Sequence, residues 1–223
     1  MTPFFIALQF LTRLKIVNQT EWSVEDFGKS VVAFPYVGLI IGLILALLYG
    51  ILSPFIPLVP LMLIIVVAEF LITGGLHADG LMDTSDGLFS GRERERKLEI
   101  MKDSRIGSFG VVAFVFVTLL KWQLLTAIPT AEFIPMALIM MPLMSRWSLV
   151  LSIRSYPYAR KEGMGAAFAN LAPKHVITYN TISTFFMPIV ILIIGAILYT
   201  LLYSAYSIFS VADVGYVVGL GVL

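Results

Sequence analysis

Three aspartates, Asp79, Asp83 and Asp86, follow one another at spacings of four and three residues. On a helix the positions i, i+4 and i+7 share one face, so the pattern predicts three carboxylates in a line. Like charges placed this way repel, and a cation among them removes the repulsion. Carboxylates that leave coordination positions open suit magnesium, which keeps water and substrate phosphates as its other ligands. A diphosphate substrate needs such a metal to neutralise the charge that develops in phosphoryl transfer and to align nucleophile and leaving group. The plainer alternative is that each aspartate caps a helix or solvates a loop end.

The flanking residues extend the pattern. His77, two positions before Asp79, is a candidate metal ligand, general base or phosphate contact, and a structural role suits it equally. Downstream, Lys102, Asp103 and Arg105 are expected to face the aspartates across a short loop. Lys102 and Arg105 are candidate phosphate binders there, arginine through bidentate contacts, while Asp103 either completes a second metal site or holds Arg105. The intervening run from Arg92 to Lys97 alternates in sign and reads as a solvated helix that also anchors topology. Glu69 lies within an apolar run, where an ionisable group is a functional candidate or a protonated packing residue. Gly74, Gly75, Gly80 and Gly87 allow backbone breaks or close approach to a ligand.

The elements that position these residues are membrane helices. Of 223 residues 59% are hydrophobic and only 13% charged, against about 25% charged in a soluble domain. So little polar surface cannot cover a water-exposed globule, and lipid is the solvent for much of the chain. With no cysteine, disulfides, thiolate metal sites and cysteine nucleophiles are excluded, and two histidines are too few for zinc without carboxylate help. Five apolar stretches are predicted to cross as helices, roughly Val31 to Leu52, Leu58 to Leu76, Ile106 to Ile128, Phe133 to Leu151 and Ile182 to Ile208. The expected fold is an all-α polytopic bundle of about five to seven membrane helices forming a single membrane domain over residues 1–223.

Charge sets the orientation. The connections Ser53–Pro57 and Pro129–Glu132 carry no lysine or arginine, whereas Arg13, Lys15, Lys29, the run from Arg92 to Arg105, Arg154, Arg160, Lys161 and Lys174 fall on the opposite side. The positive-inside rule puts that side, with the segments 73–110 and 152–181, in the cytosol. Lys121 and Arg146, within apolar runs, are expected to snorkel to an interface. The apolar stretch from Phe4 to Leu11 lacks the flanks of a cleavable signal and is too short to span, so residues 1–30 read as an interfacial segment. The apolar residues after Ile208 are expected to belong to a further span. Tyr156, Tyr158, Arg160 and Lys161 supply flat and cationic surface for a large substrate, although interface anchoring explains them too. Acids interleave the basic residues, so nucleic acid is not an expected partner; a bilayer is, and a homo-oligomer is allowed.

The stretch GGLHADGLMDTSDGLFSGRERERKLEIMKDSRIGSFG resembles the signature of the cobamide (cobalamin) synthases, the adenosylcobinamide-GDP ribazoletransferase family. The resemblance extends to LQFLTRLKI near the N-terminus, FPYVGLIIG from Phe34, SRWSLV from Ser145 and YARKEGMG from Tyr158. It implies a magnesium-dependent enzyme of the cytoplasmic membrane that joins α-ribazole, or its 5′-phosphate, to adenosylcobinamide-GDP and releases GMP. In that reading Asp79, Asp83 and Asp86 hold the metal on the diphosphate, Lys102 and Arg105 bind its phosphates, and Asp103 supports the metal or the arginine. The resemblance departs at the C-terminus: the family ends in a glycine-rich segment of the type G-x-T-G-D-x-x-G-A, which this sequence does not reach. The expectation is a truncated or diverged C-terminus, without the ligand or base that segment's aspartate would supply.

Two rival readings are weaker. A CDP-alcohol-phosphotransferase-like enzyme would continue Asp79-Gly80 as D-G-x2-A-R, and the sequence instead reads Leu81-Met82-Asp83-Thr84. A transporter built on the hairpins Val31–Leu76 and Ile106–Leu151 would place its site near the bilayer midplane, and the second hairpin has no counterpart of the aspartates.

Overall fold

The computed structural model describes residues 3–18, 23–160 and 163–220, with side chains as far as residue 201 except residue 199. Lys161 lies outside the described residues. Among those described the secondary structure is helical: α1 (Pro3–Leu11), α2 (Val24–Lys29), α3 (Phe34–Leu52), α4 (Leu58–Thr73), α5 (Leu76–Phe89), α6 (Arg94–Ile100), α7 (Ser108–Thr126), α8 (Ile134–Ser155), α9 (Met164–Leu171) and α10 (Val176–Leu220). Four helical stretches are long and apolar enough to cross a membrane, Val24–Leu52, Ser108–Thr126, Ala131–Ser155 and Val176–Leu198. The α4–α5 pair, bent by 90°, makes a fifth if it is one broken span. The all-α, multi-pass membrane architecture is therefore the observed one, at the lower end of the expected helix number.

Helix α3 is the centre of the unit Met1–Asn180. Val37, Ile41 and Leu45 are fully buried on it, and its nearest neighbour is α8. The two helices approach closely because Gly38 and Gly42, four residues apart, carry no side chain: a Cβ on Gly38 would strike the backbone of Pro142, and one on Gly42 that of Ile139. Lipid supplies no hydrophobic drive for such pairing, so close backbone packing between small residues is what holds the helices. Helix α7 is the opposite case. Val111, Val112, Val115, Phe116, Leu119 and Leu120 are all exposed, which is the surface that a hydrocarbon solvent requires.

The N-terminal segment is built into the bundle. Ile6, Ala7, Leu8 and Leu11 of α1 are buried, and Phe10, Phe27, Phe34 and Phe168 form one aromatic cluster with centroid separations of 4.7–6.3 Å. This cluster ties α1, α2, α3 and α9 together.

Two expectations are corrected here. The second apolar run ends as a helix at Thr73, not at Leu76, because Gly74 and Gly75 both adopt left-handed backbone angles, φ +65° and +77°. Glycine reaches that region without steric cost, and it terminates α4 while turning the chain into α5. Lys121 and Arg146 do not snorkel. Both turn inward onto Glu69, Arg146 being 2% exposed, because a buried carboxylate attracts them more strongly than an interface several residues away.

The second unit, Thr181–Leu223, contains the greater part of α10. The residues after Ile208, expected in a further span, continue the same helix to Leu220.

Candidate functional site

The site is organised by the elbow at Gly74-Gly75. The Gly75 N–H donates to Phe70 O at 3.1 Å and closes the end of α4, and the Asp79 N–H donates back to Gly75 O at 2.8 Å to start α5. From the other side the Arg13 N–H donates to Ile72 O at 2.8 Å, and the Arg13 side chain lies over Gly74 where a Cβ would displace it. Helix α5 has 14 residues, a length of about 21 Å, short of the roughly 30 Å hydrocarbon layer. It carries the aspartates away from the α4 axis, at the 90° bend.

The three carboxylates do lie on one stretch of α5, but they differ in what they meet. Asp86 Oδ2 accepts from the Gly107 N–H and Oδ1 from the Gly110 N–H, each at 2.8 Å. These are donors of the first turn of α7, which an isolated helix leaves unsatisfied and where the helix dipole favours a negative charge. Asp86 is thus a capping residue for α7, the plainer of the two roles its sequence position allowed. Among the described residues no three acidic or histidine side chains converge as a metal site. Asp79 and Asp83, one turn apart, remain. Asp79 is exposed and Asp83 half-buried. Burial, then the neighbouring charges of Asp79 and Asp86, push the Asp83 carboxyl above its usual pKa, while the positive charge of Arg160 opposes the shift.

Two cations bear on the aspartates: Arg13 shares a cavity with Asp79, and the charge of Arg160 is felt at Asp83. Arg160 also donates to Leu98 O at 3.2 Å, and with Lys102 and Tyr158 it lines a cavity of about 550 Å³ floored by Phe10 and Phe168. Lys102 was expected to face the aspartates; the cavity it lines has none of them among its lining residues. The Arg105 guanidinium is paired with Asp103, at 2.7 Å from Nη2 to Oδ2 and 3.1 Å from Nε to both oxygens. The Arg105 side chain is 88% exposed, and its hydrogen bonds hold the Asp103 carboxyl down at about 2. Of the two roles left open for Asp103, holding Arg105 is the one observed.

His77 and Glu69 are on the far side of the elbow. Asp79 lines a cavity of about 450 Å³ with Arg13 and Thr12, whereas His77 and Glu69 line a separate one of about 490 Å³ with Lys121 and Arg146. Positions 77 and 79 point to opposite faces of a helix, which is why two residues adjacent in the motif part company. Arg13 and Arg160 carried only topological or platform expectations in the sequence. Their position beside the aspartates depends on which loops fold back onto α5, and spacing along the chain gives no signal for that.

Asp79 and Asp83 suit magnesium in one respect, the chemistry of the donor set. A hard cation that retains waters and takes substrate oxygens needs one or two carboxylates on an open polar face, and that is what this face offers.

Comparison with known proteins bears on what the face is for. Residues 3–220 match the family described as cobalamin-5-phosphate synthase. The chain is 40% identical over 215 residues to the adenosylcobinamide-GDP ribazoletransferase of Acetivibrio thermocellus, covering 96% of this chain and 85% of that one. It is 42% identical over 208 residues to the enzyme of the same name from Fusobacterium nucleatum, with 86% and 74% covered. The corresponding protein of Desulfitobacterium hafniense is 39% identical over 170 residues, with 75% and 67% covered. No solved structure matches the chain.

Proposed function

The chain belongs to the cobalamin-5-phosphate synthase family, and from that premise we propose that it is an adenosylcobinamide-GDP ribazoletransferase whose reaction runs over the Asp79–Asp83 face of α5. The enzyme joins α-ribazole, or its 5′-phosphate, to adenosylcobinamide-GDP. The acceptor hydroxyl forms a bond to the phosphorus on the cobinamide side, the bond from that phosphorus to GMP breaks, and the hydroxyl proton is released. The basic loops support an orientation with this face on the cytosolic side of the cytoplasmic membrane, by the positive-inside rule.

Asp79 and Asp83 would hold magnesium. Bound there, the ion supplies charge neutralisation on the diphosphate and alignment of the entering and leaving oxygens. Arg160 and Lys102, which line one cavity, would bind phosphate oxygens, Arg160 in the role that Arg105 was expected to fill. Tyr158 lies flat over Gly165, where a Cβ would strike its ring, and offers a stacking surface beside the two cations. Asp86 positions α5 against α7 and touches no substrate. His77 is set apart from the face, so the chemistry is assigned to the aspartates without it.

The observation that carries this reading is the pair Asp79 and Asp83, one turn apart on α5, with Asp79 and Arg13 lining one cavity of about 450 Å³, so that ligands for a metal and a counter-charge for a phosphate occur on one helix face. The test is an assay on the purified protein with adenosylcobinamide-GDP, α-ribazole and magnesium, reading corrinoid product and GMP by chromatography. Product that disappears with EDTA and in a folded Asp83→Ala protein is the expected result. Full activity in Asp83→Ala would overturn the assignment of the site.

A further inference from the structure

Four helices contribute to the cavity on the far side of the elbow: Glu69 from α4, His77 from α5, Lys121 from α7 and Arg146 from α8. Its volume, about 490 Å³, is in the range of small-molecule sites. The rest of the wall is largely apolar, with Val66, Leu81, Phe114 and Val117 among the lining residues. Its charge does not balance. One carboxylate faces two cations, in surroundings where an uncompensated charge is costly.

The hydrogen bonding is incomplete as well. Lys121 Nζ is bonded to Glu69 Oε2, but the nearest Arg146–Glu69 approach is 3.7 Å, beyond a normal hydrogen bond. Arg146 Nε is buried without an acceptor among the described residues, and so is His77 Nδ1 without a partner. A guanidinium 2% exposed with an unsatisfied N–H marks a place where an acceptor belongs. A divalent cation is excluded by the surplus positive charge, and a neutral ligand would leave that surplus in place. An oxyanion meets both needs. Arginine presents a planar fork to phosphate, lysine a point charge, and low surrounding polarity strengthens both attractions.

We propose that the cavity bounded by Glu69, His77, Lys121 and Arg146 is an anion site, distinct from the Asp79–Asp83 face, that takes a phosphate monoester with the apolar part of the ester against the Phe114 side of the wall. The ester is either a soluble one or the headgroup of a lipid, since the cavity is built from membrane helices. The inference does not depend on the transferase reading, because it concerns binding and not turnover.

The test uses the full chain in detergent with EDTA present, so that the aspartate face lacks a metal. Melting temperature and 31P line width are followed during titration with phenyl phosphate, with dihexanoyl phosphatidic acid, and with phenol and dihexanoylglycerol as phosphate-free controls. A saturable rise in melting temperature with a phosphorylated probe and not with its control is expected. Phenyl phosphate alone acting assigns a soluble ester, and phosphatidic acid alone acting assigns a lipid headgroup. Lys121→Gln should weaken binding tenfold or more, and Glu69→Gln, which removes the competing carboxylate, should tighten it. Because Arg146 is much the more deeply buried of the two cations, Arg146→Gln is prone to misfolding, and the opposite signs of the other two variants decide. No response to either phosphorylated probe, or equal responses in Lys121→Gln and Glu69→Gln, overturns the proposal.

Discussion

The Asp86 carboxylate accepts the Gly107 N–H at 2.8 Å, and this one bond links the end of the aspartate helix to the start of the next membrane helix. It forms only because position 107 has no side chain: a Cβ there would occupy the place of the carboxylate. Gly110 meets the same condition one turn on. The spacing that aligns Asp86 with Asp79 and Asp83 therefore gives the joint that holds α5 in place one carboxylate and leaves the two that we propose for substrate.

That division can be measured. Gly107→Ala, Gly110→Ala and Asp86→Ala should each lower stability by about 1–3 kcal/mol, the cost of leaving buried donors or an acceptor unpaired. Thermal melting in detergent reads the change. A loss of activity in Asp86→Ala with unchanged melting would mean that the carboxylate acts on substrate after all.

Asp83 should behave in the opposite way. Its carboxyl pKa is raised in the folded protein, so the folded state holds its proton to higher pH than the unfolded state does. The resulting penalty sets in as pH rises through the unfolded value and is complete above the folded one. Asp83→Asn removes it, and the variant should melt no lower than the parent at neutral pH while losing transferase activity by roughly a hundredfold or more. A lower melting temperature would show that the carboxylate supports the fold.

Arg160 and Arg105 offer a direct comparison. Arg160→Gln should raise KM for the nucleotide-activated substrate by about tenfold, equivalent to roughly 1.4 kcal/mol. Arg105→Gln should change it far less, since that guanidinium is occupied by Asp103. Steady-state kinetics of the two variants, side by side, decide which arginine meets the phosphates.

The Asp103 carboxyl should titrate at about 2 in the folded protein. Its hydrogen bonds with Arg105 are present throughout the neutral range and are lost only as pH falls through that value. Carbon NMR of the carboxyl group checks this, and Arg105→Gln should return the midpoint to the usual carboxylate range near 4.

The α3–α8 contact is sensitive to single methyl groups. Gly42→Val should cost about 1–3 kcal/mol through overpacking against the Ile139 backbone, with thermal melting as the readout. Gly50→Val on the same helix, where a Cβ meets nothing within 4 Å, should be nearly neutral.

The sequence by itself determined the solvent, the helical class and the identity of the aspartate segment, because composition decides what lipid accepts and residues of one helix keep fixed relations to one another. Asp79 and Asp83 share a face on that ground alone. Tertiary structure decided every relation between helices. It gave Asp86 to the N-terminus of α7, set Arg13 in one cavity with Asp79, separated His77 from the carboxylates beside it, and turned Lys121 and Arg146 inward to Glu69. In each case the partner lies in another segment, and the choice depends on how closely two backbones approach. Glycines at 107 and 110 set that approach at Asp86, and those at 38 and 42 set it between α3 and α8. Their absent side chains were legible in the sequence, but the neighbours they admit were not.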